Sequence, residues 1–476
     1  MFGLSPRSAL AASILMAAAC APDRPRPNIV LVLADDLGWK DVSYNGSAYS
    51  TPHIDRLAAQ GLTFTQAYAA TPACSPTRAA LLTGRSPARL GITRAIRGKD
   101  YREEGEFTTD VPGWPWPCLP YPSAAHLADG EPTFADRLRA AGYETAYIGK
   151  WHLGRLENGP ARHGFEHASF VGSVGASNYY PPYQVDAAGP TRSDAYLTDR
   201  LTDEAVAFLE REHERPFCLV LAHFAVHEPI QAKPELVRAL ASKLVAGSAQ
   251  SSANYAAMLW SLDESVGRVL TTLSAQGLED ETLVVFTSDN GPLLERGERL
   301  TTVAPLRGGK LELYEGGIRV PLVVRWPGQI AAGATTPVPS ISMDLYPTLL
   351  RAAGVASTPE DPPGFPPDGL DLAPLWHGAQ VLARERLHFF VPHREAQAAI
   401  RAGDWKLVHW FGGRNELYDL ARDVGEQHDL AATEPERARS LEAELLAWIR
   451  ASDAPLPELN PEYDPANAPG GHDEDE

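Results

Sequence analysis

The fold class of this chain follows from the stretch Asn28-Ile29-Val30-Leu31-Val32-Leu33-Ala34-Asp35-Asp36. After its first residue, the segment Asn28–Leu33 is apolar without polar alternation, which is typical of a strand buried on both faces of a parallel sheet. Open parallel sheets bind their ligands beyond the carboxyl ends of the strands. We therefore predict an α/β fold whose ligand site begins at Asp35 and Asp36.

Strands and helices alternate along the rest of this region. The predicted helices are Pro52–Gln60, Phe134–Ala141, Leu197–Glu212, Asn254–Leu273 and Ser342–Ala353. The predicted strands after the first are Thr145–Ile148, Phe217–Phe224, Leu283–Thr287 and Ile318–Trp326. Such alternation predicts a large, mostly parallel sheet sandwiched by helices. We assign this α/β domain to residues 28–355.

The character of the sequence changes after residue 355. Thr358–Asp368 is rich in proline and glycine and is interpreted as a loop or linker. Short strand-like pieces follow at Ala398–Arg401, Trp405–Phe411 and Glu416–Tyr418. A terminal helix, Glu436–Arg450, has one apolar face, so we predict a C-terminal α+β subdomain, residues 356–455, in which this helix packs on a small antiparallel sheet. The acidic tail, residues 456–476, is predicted to be disordered.

The overall charge restricts the partners of the chain. It has 61 acidic and 42 basic residues, which gives a formal net charge of −19. Nucleic acids and anionic membranes need broad basic surfaces, so we expect neither as the main partner. A small anionic ligand remains compatible with this charge, provided that local cations or a metal offset the overall field.

The N-terminus resembles an export signal. Residues 1–19 combine a positive charge with a small apolar run that is too short to span a bilayer. Small residues before Cys20 favour lipoprotein processing, in which Cys20 becomes a lipid anchor and residues 20–27 a tether. A conventional signal cut nearby is the alternative. We expect an exported protein, periplasmic or held at the membrane as a lipoprotein.

Two other cysteines, Cys118 and Cys218, lie in no motif that would give them a chemical role. Disulfides persist in oxidising compartments, so an exported chain could pair them. Nothing in the sequence brings the two together, and a pair of free thiols remains the alternative.

Chemically useful side chains follow four predicted strands. They are Asp35-Asp36, Lys150-Trp151-His152, His223 with His227, and Asp289-Asn290. A single aspartate after a strand is commonly a helix cap or a turn former. Capping does not explain four such ends at one edge of a sheet, so we predict that they form one site.

The candidate metal ligands offer only oxygen atoms: Asp35, Asp36, Asp289 and Asn290. Three carboxylates and one amide carbonyl suit a hard divalent cation better than zinc or copper. Ca²⁺ tolerates six or more oxygens in irregular geometry, which fits a site assembled from two distant strands. We therefore expect Ca²⁺, with Mg²⁺ as the less favoured ion.

The most informative segment is Cys74-Ser75-Pro76-Thr77-Arg78. Pro76 favours a first helical turn, so Cys74 is predicted at a helix N-terminus, where free N–H groups and the helix dipole favour an anionic atom. Arg78, one turn later, could hold this residue or a bound oxyanion. The alternative is a buried structural cysteine, which is a common fate of a lone cysteine.

The whole run from Cys74 to Arg85 resembles the signature of type I sulfatases, the formylglycine-dependent, arylsulfatase-like family of the alkaline-phosphatase superfamily. A bare Cys-x-Pro-x-Arg occurs by chance, but this long extension is much rarer. Other segments resemble further motifs of the family: Asn28–Gly38, Gly149–Gly154, Thr287–Gly291, Leu306–Lys310, Glu315–Arg319, Asp404–Leu407 and Glu416–Leu420. The resemblance spans roughly residues 28 to 430.

This resemblance implies that the chain hydrolyses sulfate esters with the hydrate of a formylglycine, which a formylglycine-generating enzyme makes from Cys74. The implied metal ligands are Asp35, Asp36, Asp289, Asn290 and the modified Cys74. The implied catalytic residues are Arg78 and His152 at the hydrate, and Lys150, His227 and Lys310 at the sulfate oxygens. His227 matches the His-x-Pro segment of the family, whereas His223 lies within a strand and is expected to pack there.

Two other functions remain open at this stage. One is a phosphatase or phosphonate monoester hydrolase of the same superfamily, and the other is a non-catalytic lipoprotein that binds sulfated glycans. Sulfated carbohydrate is the expected substrate, with a small aryl ester as the alternative, because aromatic segments that could stack on sugars flank the site. The expected pocket walls are Gly98–His126, Tyr179-Tyr180, Leu293–Val303 and His388–Arg394.

Overall fold

The computed structural model describes residues 26–97, 113–175, 178–183, 185, 195–294, 299–355 and 367–467. Its strands are β1 Asn28–Ala34, β2 Leu62–Phe64, β3 Ala67–Tyr68, β4 Glu144–Lys150, β5 His167–Gly172, β6 Phe217–Ala222, β7 Thr282–Ser288, β8 Leu322–Arg325, β9 Ala334–Thr336, β10 Ser340–Ile341, β11 Arg386–Val391, β12 Gln397–Ala402, β13 Trp405–Trp410 and β14 Arg414–Asp419. Its α-helices are α1 Pro52–Ala59, α2 Cys74–Thr83, α3 Pro87–Leu90, α4 Phe134–Ala140, α5 Leu197–Leu209, α6 Pro234–Ala241, α7 Ala253–Ala275, α8 Glu315–Ile318, α9 Leu345–Ala352, α10 Ala373–Trp376 and α11 Pro435–Ala451.

The main sheet has eight strands in the order β5-β4-β6-β1-β7-β8-β2-β9. Strand β1 lies at its centre and pairs in parallel with β6 and β7. Strands β4 and β5 continue the parallel part, whereas β8 runs antiparallel to β7 and β2. The predicted large, mostly parallel sheet is confirmed, and its register brings the carboxyl ends of β1, β4, β6 and β7 to one edge.

Both faces of the sheet are covered, which explains why β1 is apolar without alternation. Every residue of β1 is buried. Val30 and Val32 contribute to the core that also includes the buried faces of α5 and α7, while Ile29 and Leu31 contribute to the core that includes α2, α4 and α9. Burial on two faces leaves the polar residues of this region at the strand ends.

The largest error of the predicted elements lies at Ile318–Trp326, which was expected to be one strand. Ile318 instead ends the short helix α8, and the strand begins at Leu322. The helical turn closes because the Arg319 N–H donates to the Glu315 carbonyl at 2.8 Å. Pro321, which has no N–H to donate, separates this turn from β8.

The C-terminal sheet has four antiparallel strands in the order β11-β12-β13-β14. Helix α11 packs on it through Leu441, Leu445 and Ile449, which are buried with the apolar side chains of the sheet. This confirms the small sheet with a terminal helix. The sequence analysis predicted no strand at β11, because it assigned the overlapping segment His388–Arg394 to a pocket wall. Residues 358–366 of the expected linker lie outside the described residues.

The predicted tail differs from the structure over its first part. Leu459 forms a bridge with Cys118, and the Asn460 N–H donates to the Pro117 carbonyl at 2.9 Å. The backbone of residues 117–119 therefore gives this segment an antiparallel partner, and the expectation of disorder does not hold for residues 456–467. Residues 468–476 lie outside the described residues.

The described cysteines resolve the question of pairing. Cys74, Cys118 and Cys218 are all buried free thiols, so Cys118 and Cys218 do not form a disulfide. Cys20 and the predicted signal, residues 1–19, lie outside the described residues. Within the part of the chain that the structure describes, no helix has both the length and the apolar character that crossing a membrane requires.

A buried charge cluster joins the C-terminal sheet to the main domain. The Lys406 ammonium on β13 lies 3.0 Å from a Glu315 carboxylate oxygen and 2.8 Å from a Glu426 carboxylate oxygen, and all three side chains are fully buried. Burial raises the pKa of Glu426 to about 7 against the opposing charge of Lys406. The second Glu315 oxygen accepts a 2.7 Å hydrogen bond from the Tyr68 hydroxyl.

We expect Lys406→Met to destabilise the protein by about 3–5 kcal/mol, because it leaves two carboxylates buried without their cation. Denaturant unfolding followed by circular dichroism measures this loss. The matched control is Arg386→Met, which removes a partly exposed pair with Glu444 on the same subdomain and should cost about 1 kcal/mol or less. Equal losses of unfolding free energy in the two variants would contradict the prediction that the buried cluster contributes more to stability than the exposed pair does.

Candidate active site

The ends of β1 and β7 place four oxygen-bearing side chains together. Asp35 and Asp36 follow β1, and Asp289 and Asn290 follow β7. Asp36 has a positive φ of 57°, which turns the chain directly after the strand. Its N–H donates to an Asp289 carboxylate oxygen at 3.2 Å, and the Asp289 N–H donates to the Ala34 carbonyl at 3.2 Å. These backbone bonds fix the two acidic segments against each other.

The chemistry of this cluster fits a hard cation. Ligand atoms of Asp35, Asp36, Cys74 and His227 all lie within 4.8 Å of one another and are buried. The side-chain oxygen Oδ1 of Asn290 is buried without a hydrogen-bond partner among the described residues, whereas its side-chain NH₂ group donates to an Asp36 carboxylate oxygen at 2.7 Å. A buried acceptor without a donor is costly, and a cation would satisfy it. The residues present therefore fit a divalent metal ion bound by oxygen.

The surroundings of Asp35 and Asp289 shift the pKa values of these two carboxyl groups in opposite directions. Burial acts against ionisation of Asp35, but the charges of Lys150, His227 and Arg78 outweigh it and hold its pKa well below the usual range. The pKa of Asp289 is instead raised to about 6 by burial and by the neighbouring charge of Asp35. A bound divalent cation would favour the ionised form of both groups.

Cys74 lies at the N-terminus of helix α2, where the sequence placed it. Its side chain is fully buried, and its thiol donates to an Asp35 carboxylate oxygen at 3.4 Å. Burial raises the pKa of the Cys74 thiol well above its usual value, although Lys150 acts in the opposite direction. A protonated thiol is a poor nucleophile. The unmodified side chain is therefore well placed for chemistry at the cluster but poorly suited to perform it.

Two buried cations flank the carboxylates. The Arg78 guanidinium donates to an Asp289 oxygen at 2.8 Å and to the Lys150 carbonyl at 2.6 Å. The Lys150 ammonium lies 2.6 Å from an Asp35 oxygen, and neither side chain of this pair is exposed. The structure thus brings Arg78 and Lys150 into the predicted site, where they balance the acidic residues.

His152 is held by backbone groups. The residue has a positive φ of 56°, and its N–H donates to the Gly172 carbonyl at 2.9 Å. The ring nitrogen Nε2 lies 2.8 Å from the Ile96 carbonyl, which can only accept, so Nε2 carries the proton. In the neutral ring, Nδ1 is then the basic nitrogen.

His227 and Lys310 form the opposite side of the cluster. The Lys310 ammonium lies 3.2 Å from an Asp36 oxygen and 3.1 Å from His227 Nε2. Burial and Lys310 act to lower the pKa of His227, but the Asp36 and Asp35 carboxylates outweigh them and raise it. His227 Nδ1 donates to the Glu228 carbonyl at 2.7 Å, which leaves Nε2 directed towards the charged groups.

His223, the alternative histidine after the same strand, lies outside the acidic cluster. It is fully buried, and its Nε2 lies 2.9 Å from the Ser265 hydroxyl of helix α7. Burial lowers the pKa of His223 to about 3, so the ring is neutral. Its surroundings are those of a packed histidine, and it is not part of the acidic cluster.

Sequence reasoning missed several residues that position the site. The Tyr147 hydroxyl donates to the Lys150 carbonyl at 2.5 Å, and the Ser288 hydroxyl accepts from the Leu37 N–H at 3.0 Å. The Tyr179 hydroxyl donates to the His227 carbonyl at 2.7 Å. Tyr179 had been expected in a pocket wall, but it is fully buried beneath the site. Long-range hydrogen bonds of this kind leave no local pattern in a sequence.

The fold and the site are those of an α/β protein with buried cations beside a carboxylate cluster that suits a metal ion. Family comparison matches residues 27–355 to the sulfatase family and residues 309–451 to the C-terminal region of N-sulphoglucosamine sulphohydrolase. The chain is 34% identical to steryl-sulfatase of Mus musculus, over 95% of this chain and 86% of that protein. It is 33% identical to N-acetylgalactosamine-6-sulfatase of Mus musculus, over 81% and 72%.

A solved structure of Ps i-CgsB in complex with k-i-k-neocarrahexaose is also similar. It superposes with a TM-score of 0.75 at 29% identity, covering 89% of this chain and 93% of that one. The chain therefore belongs to the type I sulfatases of the alkaline-phosphatase superfamily. It is a sulfuric ester hydrolase, and its substrate is a sulfate ester.

Proposed function

We propose that this enzyme removes sulfate from sulfated carbohydrates, with Ca²⁺ bound and with a formylglycine made from Cys74. The observation that carries the proposal is the position of Cys74, which lies at a helix N-terminus with its sulfur 3.4 Å from Asp35 and enclosed by buried cations. A formylglycine-generating enzyme would oxidise the thiol-bearing carbon with an external oxidant and release its sulfur. The resulting aldehyde would, as its hydrate, supply two hydroxyl groups in place of the unreactive thiol.

Ca²⁺ would be held by Asp35, Asp36, Asp289, Asn290 and the modified residue 74. When bound, the ion favours ionisation of a hydroxyl and stabilises negative charge on oxygen. Calcium fits these ligands better than magnesium, because the oxygens come from two separate strands and include an amide carbonyl.

In the first half of the reaction, the hydrate would supply the oxygen nucleophile for the sulfate sulfur, and the bond from sulfur to the ester oxygen would break. Lys150, Lys310 and Arg78 stabilise the negative charge on the sulfate oxygens, and such preorganised donors each contribute a few kcal/mol (roughly 3–4). The departing alkoxide would take a proton from His227 or Lys310, whose side-chain nitrogens lie 3.1 Å apart.

His152 would then accept a proton from the remaining hydroxyl, which would allow the carbon–oxygen bond to sulfate to break. Release of sulfate in this way would return the modified residue to its starting state. The Ile96 carbonyl holds the proton of His152 on Nε2, so Nδ1 is the nitrogen available as the base. An unmodified cysteine has no second hydroxyl with which to expel sulfate in this way.

The carbohydrate assignment has two supports. One is similarity: N-acetylgalactosamine-6-sulfatase is named for a sugar, and Ps i-CgsB was crystallised in complex with k-i-k-neocarrahexaose. The other is the pocket beside Cys74, which is lined by Trp114, Trp116 and Tyr121. Aromatic rings of this kind offer flat apolar faces to a sugar ring.

Turnover assays test the proposed function directly. Purified enzyme should hydrolyse 4-nitrophenyl sulfate at least about 100-fold faster, in kcat/KM, than 4-nitrophenyl phosphate, because the proposed nucleophile is that of a sulfatase. Release of inorganic sulfate from sulfated sugars should accompany this activity. A preference for the phosphate would favour the related phosphatase reaction, and no turnover of any of these esters would favour a glycan-binding protein.

We also propose that the protein is exported and carries a lipid on Cys20. The charged and then apolar start of the sequence, with small residues before Cys20, supports this. Growth with a radiolabelled fatty acid should label the wild type and leave Cys20→Ser unlabelled. A mature N-terminus at another residue without lipid would exclude the anchor while leaving export intact.

A further inference from the structure

A pocket of about 220 Å³ opens beside Cys74, because Ala73 and Leu311 are part of its lining. Another side of the pocket is formed by residues 114–121, the aromatic wall, which contributes Trp114, Trp116, Pro120 and Tyr121. A group bound against the aromatic wall would lie next to the ester that is cleaved. The position of this wall therefore affects which substrates fit.

The aromatic wall has few hydrogen-bond donors of its own. Its sequence is Trp114-Pro115-Trp116-Pro117-Cys118-Leu119-Pro120-Tyr121, with three prolines in eight residues. Proline has no N–H to donate, and it disfavours helical backbone at the residue before it. The backbone carbonyls of the wall consequently need donors from elsewhere in the chain.

Residues 455–460, the C-terminal strap, supply these donors. The side-chain NH₂ group of Asn460 donates to the Trp114 carbonyl at 2.9 Å and to the Trp116 carbonyl at 3.1 Å. The backbone N–H of Asn460 donates to the Pro117 carbonyl at 2.9 Å. A single residue thus satisfies three carbonyl groups of the aromatic wall.

The burial of Asn460 agrees with this role. Asn460 is 9% exposed, whereas the preceding Leu459 is 59% exposed. A polar residue is buried here and an apolar one faces solvent, which is the reverse of the usual preference. The side-chain oxygen of Asn460 also has a partner, because it accepts from the Glu462 N–H at 3.0 Å. Hydrogen bonds, rather than apolar packing, therefore hold the strap at this point.

Further hydrogen bonds run along the strap. The Leu119 N–H donates to the Glu458 carbonyl at 2.8 Å, and the Tyr121 hydroxyl donates to the Pro455 carbonyl at 2.9 Å. The ring of Tyr121 meets that of Phe390 edge to face at 5.8 Å, within the apolar core of the C-terminal subdomain. The strap and this core together fix the aromatic wall, which reduces the ordering cost when a ligand binds.

We infer that Asn460 is a positioning residue for substrate binding, because it fixes Trp114 and Trp116 in the wall of the pocket. It acts through the aromatic wall and not on the reacting atoms. This inference rests on the proposed function, since the wall offers its flat apolar faces to the sugar that carries the sulfate. Substrate affinity then depends on a residue of the C-terminal strap, while the charged cluster around Cys74 does not.

Asn460→Asp tests the inference with little change of shape, because a carboxylate has no N–H to donate to the Trp114 and Trp116 carbonyls. The probes are N-acetylgalactosamine 6-sulfate, galactose 6-sulfate and 4-nitrophenyl sulfate. KM for the better sugar should rise about 3- to 10-fold, as expected for a lost aromatic contact, with kcat within about twofold of the wild type. A protein that is only destabilised would lose apparent kcat without this rise in KM.

Three comparisons separate positioning from folding. Asn460→Ala removes the donors without adding a charge and should raise KM to a similar extent. Asn415→Asp makes the same change on strand β14 of the same subdomain, where Asn415 Oδ1 lies 2.7 Å from His409 Nδ1, and should leave KM unchanged. In a background that carries both Trp114→Ala and Trp116→Ala, Asn460→Asp should raise KM by less than about twofold, because the rings through which it acts are absent.

An unchanged KM in both Asn460 variants, or a full increase in the background without the two tryptophans, would overturn the inference. If the wild type hydrolyses 4-nitrophenyl sulfate and neither sugar, the carbohydrate part of the proposed function fails instead. The same comparison of KM values, made with the aryl ester, then decides the role of Asn460.

Discussion

Cys74→Ala is expected to lower sulfate-ester turnover by at least about 10⁴-fold, because it removes the group that becomes the nucleophile. Mass spectrometry of the wild-type peptide that contains residue 74 should show a species lighter than the thiol form that reacts with hydrazide probes. The converted fraction should rise in proportion to specific activity across preparations. The structural reason is that the buried thiol, whose pKa is raised by burial, cannot supply the reactive anion itself.

Cys218→Ala is the matched control for this experiment. Cys218 is also a fully buried free thiol, but it lies within strand β6 and packs in the core. Its replacement should cost about 1 kcal/mol of stability and leave turnover near the wild-type value. Fully active enzyme that contains only unmodified Cys74 would refute the formylglycine mechanism and favour the phosphatase reaction.

Asp289→Ala should weaken Ca²⁺ binding by at least about 100-fold and reduce turnover by a similar or larger factor. Loss of a residue that only orients a ligand already costs about 10–100-fold in metal affinity, and Asp289 is proposed to bind the ion directly. Elemental analysis should show less than one Ca²⁺ per chain. Added Ca²⁺ should raise the unfolding temperature of the wild type and leave that of the variant unchanged.

Removal of Asp289 also takes away the main carboxylate partner of Arg78, which lies 2.7 Å from it, so the alanine variant can lose stability for that reason. Asp289→Asn keeps the side-chain shape and should still bind Ca²⁺ poorly. Asp263→Asn is the matched control, because Asp263 is buried and accepts from the N–H groups of His53 and Ile54 at the start of helix α1. Full Ca²⁺ content in Asp289→Asn would exclude Asp289 as a required ligand of the proposed metal site.

Much of the architecture could be read from short segments. A strand buried on both faces must be apolar at consecutive positions, so β1 was evident from Asn28–Leu33. The residues that follow such a strand lie at the edge where ligands bind, which identified Asp35 and Asp289 as site candidates. The start of helix α2 at Cys74 followed from Pro76, because proline favours the first turn of a helix.

Other features had no local signature. The ordered segment around Leu459 depends on backbone groups near Cys118, more than three hundred residues away. Strand β2 has only three residues, and it is a strand because β8 and β9 lie on either side of it. Short elements of this kind are stabilised by their neighbours rather than by propensity, so single-sequence patterns do not indicate them.

The sequence by itself determined the α/β class, the set of acidic and cationic residues at the strand ends, and the helix that begins at Cys74, because each depends on periodicity or on a motif within a few residues. Only the tertiary structure decided which charges meet: Lys150 pairs with Asp35, Lys310 lies between Asp36 and His227, and His152 donates to the Ile96 carbonyl. It also joined the arginines of residues 94–97 and Arg394 into one pocket. The physical reason is that pairings between distant segments are set by sheet register and loop packing, which act across the whole fold and are not encoded in any one stretch of the chain.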